Sequence, residues 1–126
     1  MAAVLASALG CSGGSTPDAG TSVDATPIAD PLEFCRVSAD AICTRAYQCV
    51  PTAMQDSSFT DIYYGSVTDC MTMTEAGCVD PATNCPNYDP TRGGVCVAQL
   101  NSSSCADLLF GNAIFPPESC LSACGK

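Results

Sequence analysis

The stretch LEFCRVSADAICTRAYQCV, residues 32–50, decides the fold. At 100° per residue, Cys35, Ala39, Ile42, Cys43, Ala46 and Cys49 fall within one sector of about 120°. Arg36, Ser38, Asp40 and Arg45 mostly fall elsewhere. Asp30 before Pro31 supplies an N-cap followed by proline at the first helical position, where no N–H is needed. Pro51 cannot continue the helix and stops it. The result is an amphipathic helix whose apolar face carries cysteines.

Working outward, a second helix is expected over Tyr64–Gly77. Tyr63, Val67, Cys70, Thr74 and Cys78 lie along one side of it, Met71 beside them, and Gly77 suits its C-terminal end. The segment Val79–Pro90, rich in Pro, Asn and Asp, reads as a loop pinned by Cys85. Asp89-Pro90 caps a third helix that runs through Cys96 to about Leu100. A turn at residues 101–104 leads into a short helix, Cys105–Phe110, ended by Gly111. After Pro116-Pro117, residues 118–123 make a last helical turn with Cys120 and Cys124 on one face. The expected fold class is all-α: a small disulfide-rich bundle of three to four short helices with long loops, preceded by a signal and a tether.

The cysteines explain how so small a bundle holds together. The chain has 126 residues and 11 cysteines, a density typical of disulfide scaffolds. Such scaffolds belong to oxidising compartments. Setting Cys11 aside leaves an even set at 35, 43, 49, 70, 78, 85, 96, 105, 120 and 124, which can pair completely. One spacing repeats: Cys35 to Cys43 and Cys70 to Cys78 are both C-x7-C. On two antiparallel helices, equal spacing lets both ends be bridged at once, as Cys35–Cys78 and Cys43–Cys70. Ten cysteines permit on the order of a thousand connectivities, so this pairing is one hypothesis among many.

Residues 1–9 form a short apolar run, MAAVLASAL, far below the roughly 20 residues that span a bilayer. It ends in Ala8-Leu9-Gly10-Cys11, a tetrad that resembles the lipobox of bacterial lipoproteins. That resemblance implies cleavage before Cys11 and acylation of Cys11, with more than one chain for stable anchoring. Ala8 stands where the family prefers Leu. The basic residues expected at the head of such a signal are absent, so the coding start is expected upstream. Residues 12–31, SGGSTPDAGTSVDATPIADP, have the composition of a flexible tether with a reach of about 25 Å. The domain boundaries expected are therefore 1–10 for the signal, 11–31 for the lipidated cysteine and tether, and 32–126 for the cysteine-rich domain.

This layout is similar to that of the cysteine-rich lipoproteins abundant in myxobacteria and their relatives. The residues that carry the likeness are Phe34-Cys35, Cys43, Cys49, the run Val95–Leu100 and the run Ser104–Leu109. Gly93-Gly94 departs from the family's alanine-rich version. Most members have no known function. The resemblance implies a lipid-anchored position in the cell envelope, at the outer membrane or cell surface more than the inner membrane, and otherwise a secreted protein. It implies a helical disulfide fold and no activity.

The chemistry of catalysis is thin. There is no His, the commonest neutral-pH base and metal ligand, and the only Lys is Lys126. No G-x-S-x-G motif occurs. Cys120/Cys124 and Cys43/Cys49 make poor zinc pairs, and the compartment favours disulfides. Asp80, Asn84, Asn87 and Asp89 lack the alternating ligand pattern of a calcium loop and suit turns instead. A net charge of −9 with no basic stripe argues against nucleic acid. The sequon Asn101-Ser102-Ser103 is expected to be idle if the source is bacterial. The apolar stretch Leu108, Leu109, Phe110, Ile114 and Phe115 is expected to pack in the core, with an exposed binding patch as the sharper reading. The expectation is a non-catalytic interaction or structural module with no cofactor and no metal, meeting the membrane through its lipid anchor. The alternative is a binding module for an apolar small molecule or lipid, which needs an enclosed cavity of several hundred Å³.

Overall fold

A computed structural model describes residues 25–125. The signal, Cys11, most of the tether and Lys126 lie outside the described residues. Helix α1, Pro31–Cys49, is the spine. The Asp30 side chain accepts a hydrogen bond from the Leu32 N–H at 3.0 Å, and proline occupies the first turn. The helix buries Phe34, Ala41, Cys43, Ala46 and Cys49. That stripe is wider than the single sector read from the sequence, because α1 packs against two helices rather than one.

The first partner is α3, Val67–Ala76. The helix expected over Tyr64–Gly77 is present but begins at Val67, three residues later than expected, and a short helix α2, Ser57–Tyr63, which the sequence reading did not include, precedes it. Tyr64 breaks the chain between them with φ of +68°, a left-handed conformation uncommon outside Gly. The Tyr47 hydroxyl donates to the Tyr64 carbonyl at 2.7 Å, tying that break to α1. Asp56 caps α2 by accepting from the Ser58 and Phe59 N–H groups, and Ser66 caps α3 by accepting from Asp69.

The second partner is α5, Pro90–Ser102, preceded by a short helix α4, Pro81–Asn84, within what reads as loop. Asp89 caps α5 through the Thr91 and Arg92 N–H groups. Arg45 of α1 donates to Gln48 at 3.1 Å and to the carbonyl of Ser103 at the end of α5. The last expected helix before Gly111 is shorter than the sequence suggested. Helix α6 is Cys105–Leu108, and the chain then turns into a two-stranded hairpin, β1 (Leu109–Phe110) against β2 (Ala113–Ile114), antiparallel with Leu109 opposite Ile114. Gly111, at φ of +67°, makes the turn. Helix α7, Glu118–Ser122, packs on α5.

The core is a continuous cluster in which Phe59, Leu100, Leu108, Val50, Cys43, Cys70 and Cys96 are fully buried. The Phe59 ring meets Tyr47 edge-on and Tyr63 at a tilt, each at 5.0 Å, a geometry that suits aromatic quadrupoles. The Tyr63 hydroxyl accepts from the buried Ile114 N–H at 2.7 Å, fixing the hairpin to α2.

Residues 26–30, read from composition as tether, lie on the domain. The Ile28 N–H donates to the Pro90 carbonyl at 3.2 Å, and the Tyr88 hydroxyl donates to the Ile28 carbonyl. Burial, with Asp30, Asp89 and Glu33 nearby, pushes the Tyr88 phenol up to about 12. Gly93 and Gly94 are what allow the crossing. A Cβ on Gly94 would collide with the Thr26 carbonyl, and one on Gly93 with the Tyr88 hydroxyl.

Candidate functional site: a groove beside an exposed aromatic hairpin

The ten cysteines of the described residues form five disulfides. Cys35–Cys78 and Cys43–Cys70 join α1 to α3, with Cα separations of 5.8 Å each. Cys49–Cys105 closes the far end of α1 onto α6. Cys96–Cys120 joins α5 to α7, and Cys85–Cys124 ties the α4 region to the C-terminal turn. The candidate zinc pairs are thereby split among different bridges. Of the candidate calcium residues, Asp89 caps α5 through Oδ1, and the Asn84 amide N–H donates to the Val79 carbonyl at 2.6 Å. Among the described residues no group of three or more Cys, Asp or Glu is placed to hold a metal ion, and no helix is long and apolar enough to cross a membrane.

The apolar stretch 108–115 divides. Leu108 and Ile114 go into the core, whereas Phe110 is 77% and Phe115 61% exposed. The expectation that all five pack inside is corrected for these two. Within the hairpin, Ile114 shares the inward face with its partner Leu109, and Phe110 takes the opposite face with Ala113; Leu108 is buried as the last residue of α6, and Phe115 follows the second strand. The two phenyl rings lie beside each other, 6.3 Å between centroids. They are among the most exposed large apolar side chains of the domain.

Phe115 also forms one wall of an open groove of about 560 Å³ between α5, α6 and α7. Arg92 and Gln99 come from α5, Asp107 from α6, and Glu118 and Ser119 from α7. Arg92, Val95 and Gln99 share a helix face at i, i+3 and i+7, a spacing that the sequence contains but that the cysteine pattern overshadows. The Ser119 hydroxyl donates to the Gln99 amide oxygen at 2.7 Å. An amide cannot take a proton from that serine, so the contact positions and does not activate. The groove offers a hydrophobic wall, two carboxylates and one guanidinium.

A second pocket, about 150 Å³, is lined by Leu32, Phe34, Val79 and Pro81 with the Cys35–Cys78 and Cys85–Cys124 bridges. It is apolar but falls below the roughly 300 Å³ at which small-molecule sites begin.

No protein-family model, no curated protein and no solved structure matches this chain. Its class therefore rests on its own architecture: a small helical domain stapled by five disulfides, stabilised for an oxidising, extracytoplasmic compartment.

Proposed function

We propose that this chain is a cell-envelope lipoprotein, held by acyl chains on Cys11, whose domain is a non-catalytic interaction module that meets a protein partner with the Phe110–Phe115 hairpin and the adjoining groove. The observation that carries the reading is the pair of exposed phenyl rings on a hairpin whose other face is locked into the core. Contiguous exposed aromatic surface beside polar side chains is the composition of binding patches. The anchor is supported by the cysteine count: the ten downstream cysteines consume one another, which leaves Cys11 outside the disulfide set. The resemblance to myxobacterial lipoproteins points the same way and favours the outer membrane or cell surface.

The alternative, a carrier of an apolar ligand, has less support. The apolar pocket is small, and the large groove is open and half polar.

Two measurements test the proposal. Expressed from the full-length gene, the protein partitions into detergent, and Cys11→Ser releases it; unchanged partitioning of the variant contradicts the anchor. A photo-crosslinking residue at position 115 on intact cells gives a discrete protein adduct that Phe110→Ala abolishes. An adduct pattern identical to that from a probe at exposed Asp61 contradicts the partner surface.

A further inference from the structure

The two bridges between α1 and α3 impose a relationship on the residues between them. Position 35 pairs with 78 and 43 with 70, so an approximate two-fold axis between the helices carries residue 35 onto 70 and 43 onto 78. Each segment also carries an acid at the same place: Cys35-x4-Asp40-x2-Cys43 and Cys70-x4-Glu75-x2-Cys78. The same axis carries Asp40 onto Glu75. Covalent ends and equal spacing thus bring two carboxyl groups face to face near the middle of the ladder, within hydrogen-bond reach of each other.

As two carboxylate ions, the pair leaves Asp40 Oδ1 buried without a hydrogen-bond partner. Two facing carboxylates are both acceptors, and a buried acceptor without a donor is destabilising. One proton resolves the conflict, because a protonated carboxyl donates to its neighbour. This is the logic of paired acids that share a proton.

We propose that Asp40 and Glu75 form a proton-dependent lock between α1 and α3, closed by a shared proton and opened when that proton leaves. The bridges at either end keep the helices joined, so the lock governs how tightly their middle packs and not whether the domain folds. The carboxyl of Glu75 is raised above its ordinary value of 4.5, first by the hydrogen bond with Asp40, then by burial and the Asp40 charge; Arg36, one turn away on α1, works against the rise. Arg36 and Asp40 are the charged groups acting on Glu75, both from α1; Asp61, on α2, which also packs on α3, is not among them.

The sign follows from linkage. A group that holds its proton more tightly when folded contributes stability that is fully present below its unfolded value, here 4.5, and is lost as pH rises through the higher folded value.

The test uses the oxidised full chain carrying Cys11→Ser. The carbon resonance of the Glu75 carboxyl is followed by NMR across pH, and thermal melts are run from pH 4.5 to about pH 7. The Glu75 midpoint lies above 4.5 and falls in Asp40→Asn. The melting temperature declines with pH more steeply in the parent and in Asp61→Asn than in Glu75→Gln or Asp40→Asn. Glu75→Gln keeps a donor toward Asp40, so it folds. A Glu75 midpoint at or below 4.5, a midpoint indifferent to Asp40→Asn, or an undiminished slope in Glu75→Gln overturns the proposal.

Discussion

Gly94, in the first half of α5, lies directly beneath the carbonyl of Thr26, with no room for a side chain between them. The contact lets residues 26–28 cross the helix and places Ile28 against Pro90 and Tyr88. Gly94→Ala pushes this segment off. Overpacking of this kind costs about 1–3 kcal/mol. Chemical denaturation reads the loss, and faster exchange of the Ile28 amide locates it. An unchanged Ile28 amide would contradict the crossing.

The hairpin depends on one buried bond. Tyr63→Phe removes the acceptor for the Ile114 N–H and leaves that donor unsatisfied, which costs about 1–3 kcal/mol. Denaturant midpoints of the variant and the parent measure it. Ring packing against Phe59 survives the change, so the loss reports the hydroxyl alone.

Asp56 supplies an acid-side pH dependence. Its carboxyl is held below its ordinary value of 3.8, first by the Ser58 hydroxyl and then by the Phe59 N–H. A depressed acid contributes stability above its unfolded value that is lost as pH falls through the folded value. Asp56→Asn keeps the cap and loses this dependence; Asp56→Ala loses both and frays α2. Circular dichroism melts between neutral pH and strong acid separate the two variants.

Sequence periodicity made α1 and α5 legible because each carries its own start signal, Asp30-Pro31 and Asp89-Pro90, and a cysteine on its buried face. The break at Tyr64 was not legible: nothing in a tyrosine announces a positive φ, and the Tyr47 hydroxyl that holds it comes from another helix. The tether boundary was misplaced for a related reason. Residues 26–30 have the composition of a linker, and what fixes them is the absence of side chains at Gly93 and Gly94, far along the chain. The hairpin escaped notice because an apolar run too short to show a period is equally a helix or a strand. The exposure of Phe110 went unread for the same reason, since only as a strand residue does it take the face opposite Leu109.

The two phenyls and the core leucine beside them separate surface from structure. Phe110→Ser and Phe115→Ser change stability by no more than about 0.5 kcal/mol, as exposed substitutions do. Leu108→Ala, at a fully buried position, costs about 2–5 kcal/mol. Denaturation of the three variants side by side checks the contrast, and a large loss in either Phe variant would place those rings in the folding core.

The central claim is that the disulfides hold this fold. Each closes a loop of between 24 and 56 residues, which stabilises by about 3–4 kcal/mol in the chain-entropy account. The terms are not additive, yet several together rival the whole net stability of a small domain, about 5–15 kcal/mol. The direct measurement is a far-ultraviolet circular dichroism melt of the same sample with and without reductant. The account predicts that reduction abolishes cooperative unfolding and most of the helical signal at ambient temperature. A reduced protein that keeps its helix content and melts sharply near the oxidised midpoint would contradict it.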